Sequence, residues 1–144
     1  MCKLGFDIGL KELSSDELRY CQTAVANWKR LSSVILDGDQ YRLVSPYDCN
    51  HMAVNYVNAD QSKVVLFAYD VYPRFEEKLF PVKLKGLNPN KMYKIEEINL
   101  MPGEKSTLKS DGKIVSGDYL MKIGIEAFGF KPLQSHVIEL TEQN

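Results

Sequence analysis

Few residues in this 144-residue chain have both the type and the spacing that chemistry requires. Cleavage of a glycosidic bond needs two carboxylates facing each other at a defined separation. Glu76-Glu77 and Glu96-Glu97 are adjacent pairs, but neighbours on a strand point to opposite faces, so both pairs read as solvated charges. Asp37 and Asp39 flank Gly38, where helix-terminating turn chemistry accounts for them. His51 and His136 lie far apart, each in an expected strand and without the spacing of a metal pair, and read as surface or core histidines. The cysteines Cys2, Cys21 and Cys49 are odd in number and include no C-x-x-C, which argues against an even disulfide framework, a zinc knuckle and a redox motif. The chain holds no G-x-S-x-G elbow, Gly-rich phosphate loop or H-E-x-x-H helix, so no catalytic residue, metal or cofactor is assigned. The nearest approach to a binding feature is the run 67–75, in which Tyr69, Tyr72 and Phe75 could stack on sugar rings; aromatics are also ordinary strand residues.

The elements that would position these residues are one helix and a series of strands. Ser14-Ser15-Asp16-Glu17 offers a capping box, with Ser14 as N-cap and Glu17 returning the hydrogen bond. Leu18, Cys21, Val25, Trp28 and Ile35 then recur at helical spacing, with Ala24 and Leu31 widening the stripe. Arg19, Gln22, Asn27, Lys29 and Arg30 take the other side. At 1.5 Å per residue the rod is roughly 30 Å long, and it ends near Gly38, a candidate left-handed cap. From Tyr41 the period changes to two. Residues 41–45, 51–58, 63–70, 80–87, 92–100, 106–109, 113–115, 119–125 and 135–141 read as short strands punctuated by turn residues. The expectation is a mainly β chain: an antiparallel Greek-key β-sandwich of about eight strands, preceded by one long amphipathic helix.

Composition fits that class. Hydrophobic residues make up 44% and charged residues 26%, and the formal charge is −1. Such a balance gives neither nucleic acid nor an anionic membrane a positive field to meet. Lys83, Lys85, Lys91 and Lys94 are interleaved with apolar residues and read as a solvated strand face. No 18-residue apolar run is present to span a membrane, and the N-terminus lacks the h-region of a signal peptide. The compartment of a parent protein stays open on this reading.

Four motifs in order carry a resemblance. Leu4-Gly5-Phe6-Asp7-Ile8 is similar to a last barrel strand, with a helix starting after Leu13-Ser14. Tyr41-Arg42-Leu43-Val44-Ser45-Pro46 is similar to an entry into a C-terminal domain. Gly86-Leu87-Asn88-Pro89-Asn90-Lys91-Met92-Tyr93 resembles a G-L-[DN]-P-x-x-x-Y turn. Ser116-Gly117-Asp118-Tyr119-Leu120-Met121-Lys122-Ile123-Gly124-Ile125 resembles an S-G-x-x-L-M-x-x-G-[LI] segment. Together they resemble the C-terminal end of family 36 glycoside hydrolases, the microbial α-galactosidases, over nearly the whole chain. In the last two motifs Gly86 and Asn88-Pro89 supply a tight turn, Leu120 and Ile123 are expected to face the core, and Gly124 permits close backbone approach.

The resemblance implies a parent enzyme that removes terminal α-linked galactose with retention, using one aspartate as nucleophile and another as acid/base. The motifs of both aspartates are absent here, so no catalytic residue is carried over, and Asp7 receives no assigned role. Residues 1–36 are expected to be the remnant of the last barrel strand and helix, and residues 37–144 a non-catalytic C-terminal β-sandwich that packs on and supports the barrel. The partner implied is the rest of the same polypeptide; without the barrel, the helix stripe is expected either to fold onto the sandwich or to pair with another copy as a homo-oligomer that reflects truncation. The alternative expectation is an autonomous carbohydrate-binding module using Tyr69, Tyr72 and Phe75.

Overall fold

The computed structural model describes residues 9–74 and 76–143. The expected barrel-strand segment 4–8 with Asp7, and also Cys2 and Phe75, lie outside the described residues. A single 3-10 turn, Leu10–Glu12, leads into helix α1, Ser15–Asp37. The expected capping box is present: Ser14 Oγ accepts from the Glu17 amide at 3.3 Å, and Glu17 Oε2 accepts from the Ser14 amide at 2.8 Å. The other end departs from expectation. Gly38 is extended (φ −82°) and not left-handed. Close approach is what requires glycine here, because a Cβ would sit 2.3 Å from the Val34 carbonyl oxygen and 2.6 Å from that of Val57.

Six strands follow: β1 (Asp39–Val44), β2 (His51–Val57), β3 (Lys63–Asp70), β4 (Met92–Ile98), β5 (Ile114–Ser116) and β6 (Gln134–Gln143). They form one antiparallel sheet in the order β1-β2-β3-β6-β4-β5, so the last strand closes the middle of the sheet. That placement explains why β3 reads Val64-Val65-Leu66 without alternation. Side chains on both of its faces are covered, and all three residues are fully buried.

On one face, Leu31, Val34 and Ile35 of α1 pack on Val54, Tyr56, Val65 and Phe67. On the other, Ala53, Leu66, Tyr93, Ile95, Ile138 and Leu140 lie beneath Val82, Leu84, Leu108, Leu120, Ile125 and Phe128. This second layer holds the segments read from sequence as further strands. Residues 80–87 contribute one bridge, Val82 to Ile125. Their alternation survives, with Val82 and Leu84 buried and Lys83 and Lys85 exposed. In place of a partner strand, the Asn55 side-chain amide donates to the Lys85 carbonyl at 3.0 Å and accepts from its N–H at 3.3 Å. Residues 106–109 form no strand and bury only Leu108.

The expected strand 119–125 is in fact helix α2, Gly117–Lys122, started by Ser116, whose Oγ accepts from the Tyr119 amide at 3.2 Å. Helical geometry buries Leu120 but leaves Ile123 51% exposed, against the expectation that both face the core. Gly124 behaves as expected: at φ +93°, a Cβ would meet the Val82 carbonyl oxygen at 2.3 Å. No described helix is long and apolar enough to cross a membrane.

Candidate functional site

Strand alternation brings titratable side chains together at one end of the sheet, on the face away from α1. His51 opens β2 and is paired in register with Asp70, which closes β3. His136 on β6 sits opposite Ala68, two residues back from Asp70 on the same face. Glu97 on β4 projects onto that face as well. His51 Nδ1 lies 2.9 Å from Asp70 Oδ1, and Asp70 Oδ2 accepts the Gly129 N–H at 2.9 Å. His136 Nδ1 donates to Glu97 Oε1 at 2.5 Å, while its Nε2 faces Asp70 Oδ2 at 3.9 Å. The second Glu97 oxygen accepts from Ser106 Oγ. At the far end, His51 Nε2 faces Glu77 Oε1 at 3.6 Å, and Glu77 is held by the Arg74 amide and the Asn50 side chain. The His51 ring stacks on Phe128, centroids 4.5 Å apart.

Two expectations change here. Glu96 and Glu97 do point to opposite faces, but only Glu96 is solvated, reaching Lys94 at 2.7 Å. The Glu97 side chain is 3% exposed. The histidines, far apart in sequence, share Asp70. Alternation told which face Glu97 takes, but not that the face is covered, and no spacing rule links residues on β2, β4 and β6.

The electrostatics follow from this geometry. Burial works against ionisation of Glu97, yet the hydrogen bonds from His136 and Ser106 and the imidazolium charge outweigh it and hold the carboxyl below its ordinary value. The hydrogen bond to Glu97, assisted by the Glu97 and Asp70 charges, raises His136 against the opposing effect of burial. Both oxygens of Asp70 and both of Glu97 are therefore committed to partners within the fold. Retaining glycoside hydrolysis needs two carboxyl groups about 5 Å apart facing an open substrate position, and neither of these is available for that. No group of three or more His, Cys, Asp or Glu side chains among the described residues could hold a metal ion.

The remaining candidates are dispersed. Tyr69 is half-buried in β3 on the α1 side, and burial pushes its hydroxyl up to about 12. Tyr72 is 67% exposed just beyond β3. The helix stripe divides in two. Ile35 is buried with Leu31, whereas Cys21 and Val25 are half-buried and Leu18 is 40% exposed. Between the halves, Trp28 borders a small apolar groove of about 70 Å³ lined also by Ala24, Phe67, Ile98 and Val137. Its indole N–H is shielded and has no acceptor among the described residues. A polar clamp fixes the C-terminal half of the helix: Arg30 grips Glu139 of β6 through both carboxylate oxygens at 2.5 and 2.7 Å, and Asn27 donates to Asn99 at 2.7 Å.

Comparison with known proteins places this architecture. Residues 51–140 match the glycosyl hydrolase family 36 C-terminal domain. The chain is 29% identical over 92 residues to probable alpha-galactosidase G of Aspergillus terreus, covering 64% of this chain and 13% of that protein. It is 29% identical over 121 residues to alpha-galactosidase 1 of Pediococcus pentosaceus, covering 84% and 15%. The crystal structure of GH36 alpha-galactosidase AgaB from Geobacillus stearothermophilus superposes with a TM-score of 0.75 at 26% identity, over 93% of this chain and 17% of that one. The chain thus spans less than a fifth of the length of these relatives. The family match runs from β2 into the central strand β6, as far as residue 140, and takes in the His51–Asp70–His136–Glu97 cluster, so the chain belongs to the glycosyl hydrolase family 36 C-terminal domain family.

Proposed function

We propose that this chain acts as the non-catalytic C-terminal domain of an α-galactosidase, one that cleaves terminal α-galactosides with retention, and that it packs on and supports a catalytic barrel. The observation that carries this reading is the division of α1. Its C-terminal half is sealed onto the sheet, while Leu18, Cys21 and Val25 continue the same apolar stripe, with Leu18 40% exposed among the described residues. A helix shared in this way suits the boundary between a barrel that ends near residue 36 and a sandwich that follows it. The second layer fits a degenerate sheet of a Greek-key sandwich, its strand pairing among the described residues reduced to the Val82–Ile125 bridge. The coverage of relatives under a fifth of their length supports a role within a larger polypeptide.

A domain exchange tests the proposal. Replacing the corresponding region of the Geobacillus alpha-galactosidase AgaB with this chain should give a folded, active enzyme. Adding Leu18→Asp and Val25→Asp should lower the thermal stability of that chimera and leave the isolated chain unchanged. A chimera indifferent to both substitutions would overturn the role given to the stripe.

The exposure of Tyr72 favours one other reading, an autonomous carbohydrate-binding module using Tyr69, Tyr72 and Phe75. Galactoside titration monitored by tyrosine NMR signals tests it, and silence at millimolar sugar rejects it.

A further inference from the structure

The His51–Asp70–His136–Glu97 cluster serves no step of the proposed function. Its members come from four strands, and each carboxylate also holds a segment of the second layer. Glu97 binds Ser106, and with it the 99–107 segment that begins at Asn99 in a left-handed conformation (φ 62°). Asp70 binds the Gly129 amide, and Glu77 binds the Arg74 amide and Asn50. His136 stands between two of these anchors. One ring nitrogen donates to Glu97 and the other faces Asp70 at 3.9 Å. Only the imidazolium carries an N–H at both nitrogens. In the neutral ring, either the Asp70 side meets a lone pair or the 2.5 Å bond to Glu97 loses its donor.

We propose that His136 is a pH-operated latch: as imidazolium it ties Glu97 and Asp70 together and closes the 99–107 and 126–130 segments over the end of the sheet, and on losing its proton it releases them. The groups facing the ring are Glu97 from β4 and Asp70 from β3, with His51 of β2 reached through Asp70. Glu104, Lys105 and Tyr20 of α1 line the cleft outside, which has a volume of about 350 Å³. That cleft reaches His136 and Glu97 and gives the proton a route to water without unfolding of the sheet. Because His136 is raised above its ordinary value of 6.5, the latch is fully closed below 6.5 and opens as pH rises through the raised value. Glu97 sets the acid limit. Held below its ordinary 4.5, it keeps the pair intact above 4.5 and gives it up as pH falls through the lowered value.

The test uses the whole 144-residue chain. The ring C–H signals of His136 are followed by NMR against pH, and amide hydrogen exchange of residues 99–107 and 126–130 is followed over the same range, corrected for the intrinsic pH dependence of exchange. The expected result is a His136 midpoint above 6.5, with protection in both segments falling about tenfold or more through that midpoint while β3 stays protected. His136→Gln, which keeps a donor and cannot titrate, should remove the pH dependence of protection. A His136 midpoint at or below 6.5, or segments whose protection does not change across it, overturns the proposal. Both readings come from the unaltered chain and stand even where the variant does not fold.

Discussion

At the scale of single residues, the fold depends on positions where one atom decides. Gly124 combines a left-handed backbone with a Cβ position 2.3 Å from the Val82 carbonyl oxygen. Gly124→Ala must shift the only bridge of the second layer among the described residues, and should cost about 1–3 kcal/mol in denaturant unfolding. Glu139 is buried, and its charge is met by Arg30. Arg30→Ala leaves that carboxylate without its cation. Since the Arg30 side chain is 44% exposed, water replaces part of the loss, and destabilisation of about 1–3 kcal/mol is expected by the same measurement. Residue-level reading from sequence succeeded where the cause is local. The Ser14–Glu17 box depends on near neighbours, and Gly124 on a left-handed backbone special to glycine. It failed for Glu97, since burial there comes from Ser106 and the cover over β6.

Among the elements, α1 and α2 show two kinds of legibility. The long helix repeats its apolar stripe over several turns, and its period cannot be mistaken for a strand. The stretch that holds the six-residue α2 offers Leu120, with Ile123 and Ile125 just beyond it, a spacing that serves strand and helix alike. The deciding signal was the Ser116-Gly117-Asp118 cap, with Gly117 required because its Cβ would lie 2.1 Å from the Asn88 carbonyl oxygen. The number of strands was overestimated for a related reason. Alternation reports a covered face, and Val82 and Leu84 are covered, but the Asn55 side chain takes the place of the neighbouring strand.

Leu31 is buried where α1 packs on the sheet, so Leu31→Ala should cost about 2–4 kcal/mol of unfolding free energy. Removing residues 1–37 would uncover Val54, Tyr56 and Phe67. The shortened chain should associate or aggregate in light scattering, and a stable monomer would contradict the packing described for α1.

As a whole molecule, the chain is a mainly β domain of the family 36 C-terminal type, whose buried His51–Asp70 and His136–Glu97 pairs are bonded within the fold. The central proposal is that it supports catalysis without performing it, and activity of the isolated chain tests that most directly. Purified chain should release no aryl leaving group from an aryl α-galactoside above a buffer control, across the pH range in which it stays folded. Turnover above that control, abolished by substitution of a carboxylate within the chain, would contradict the account.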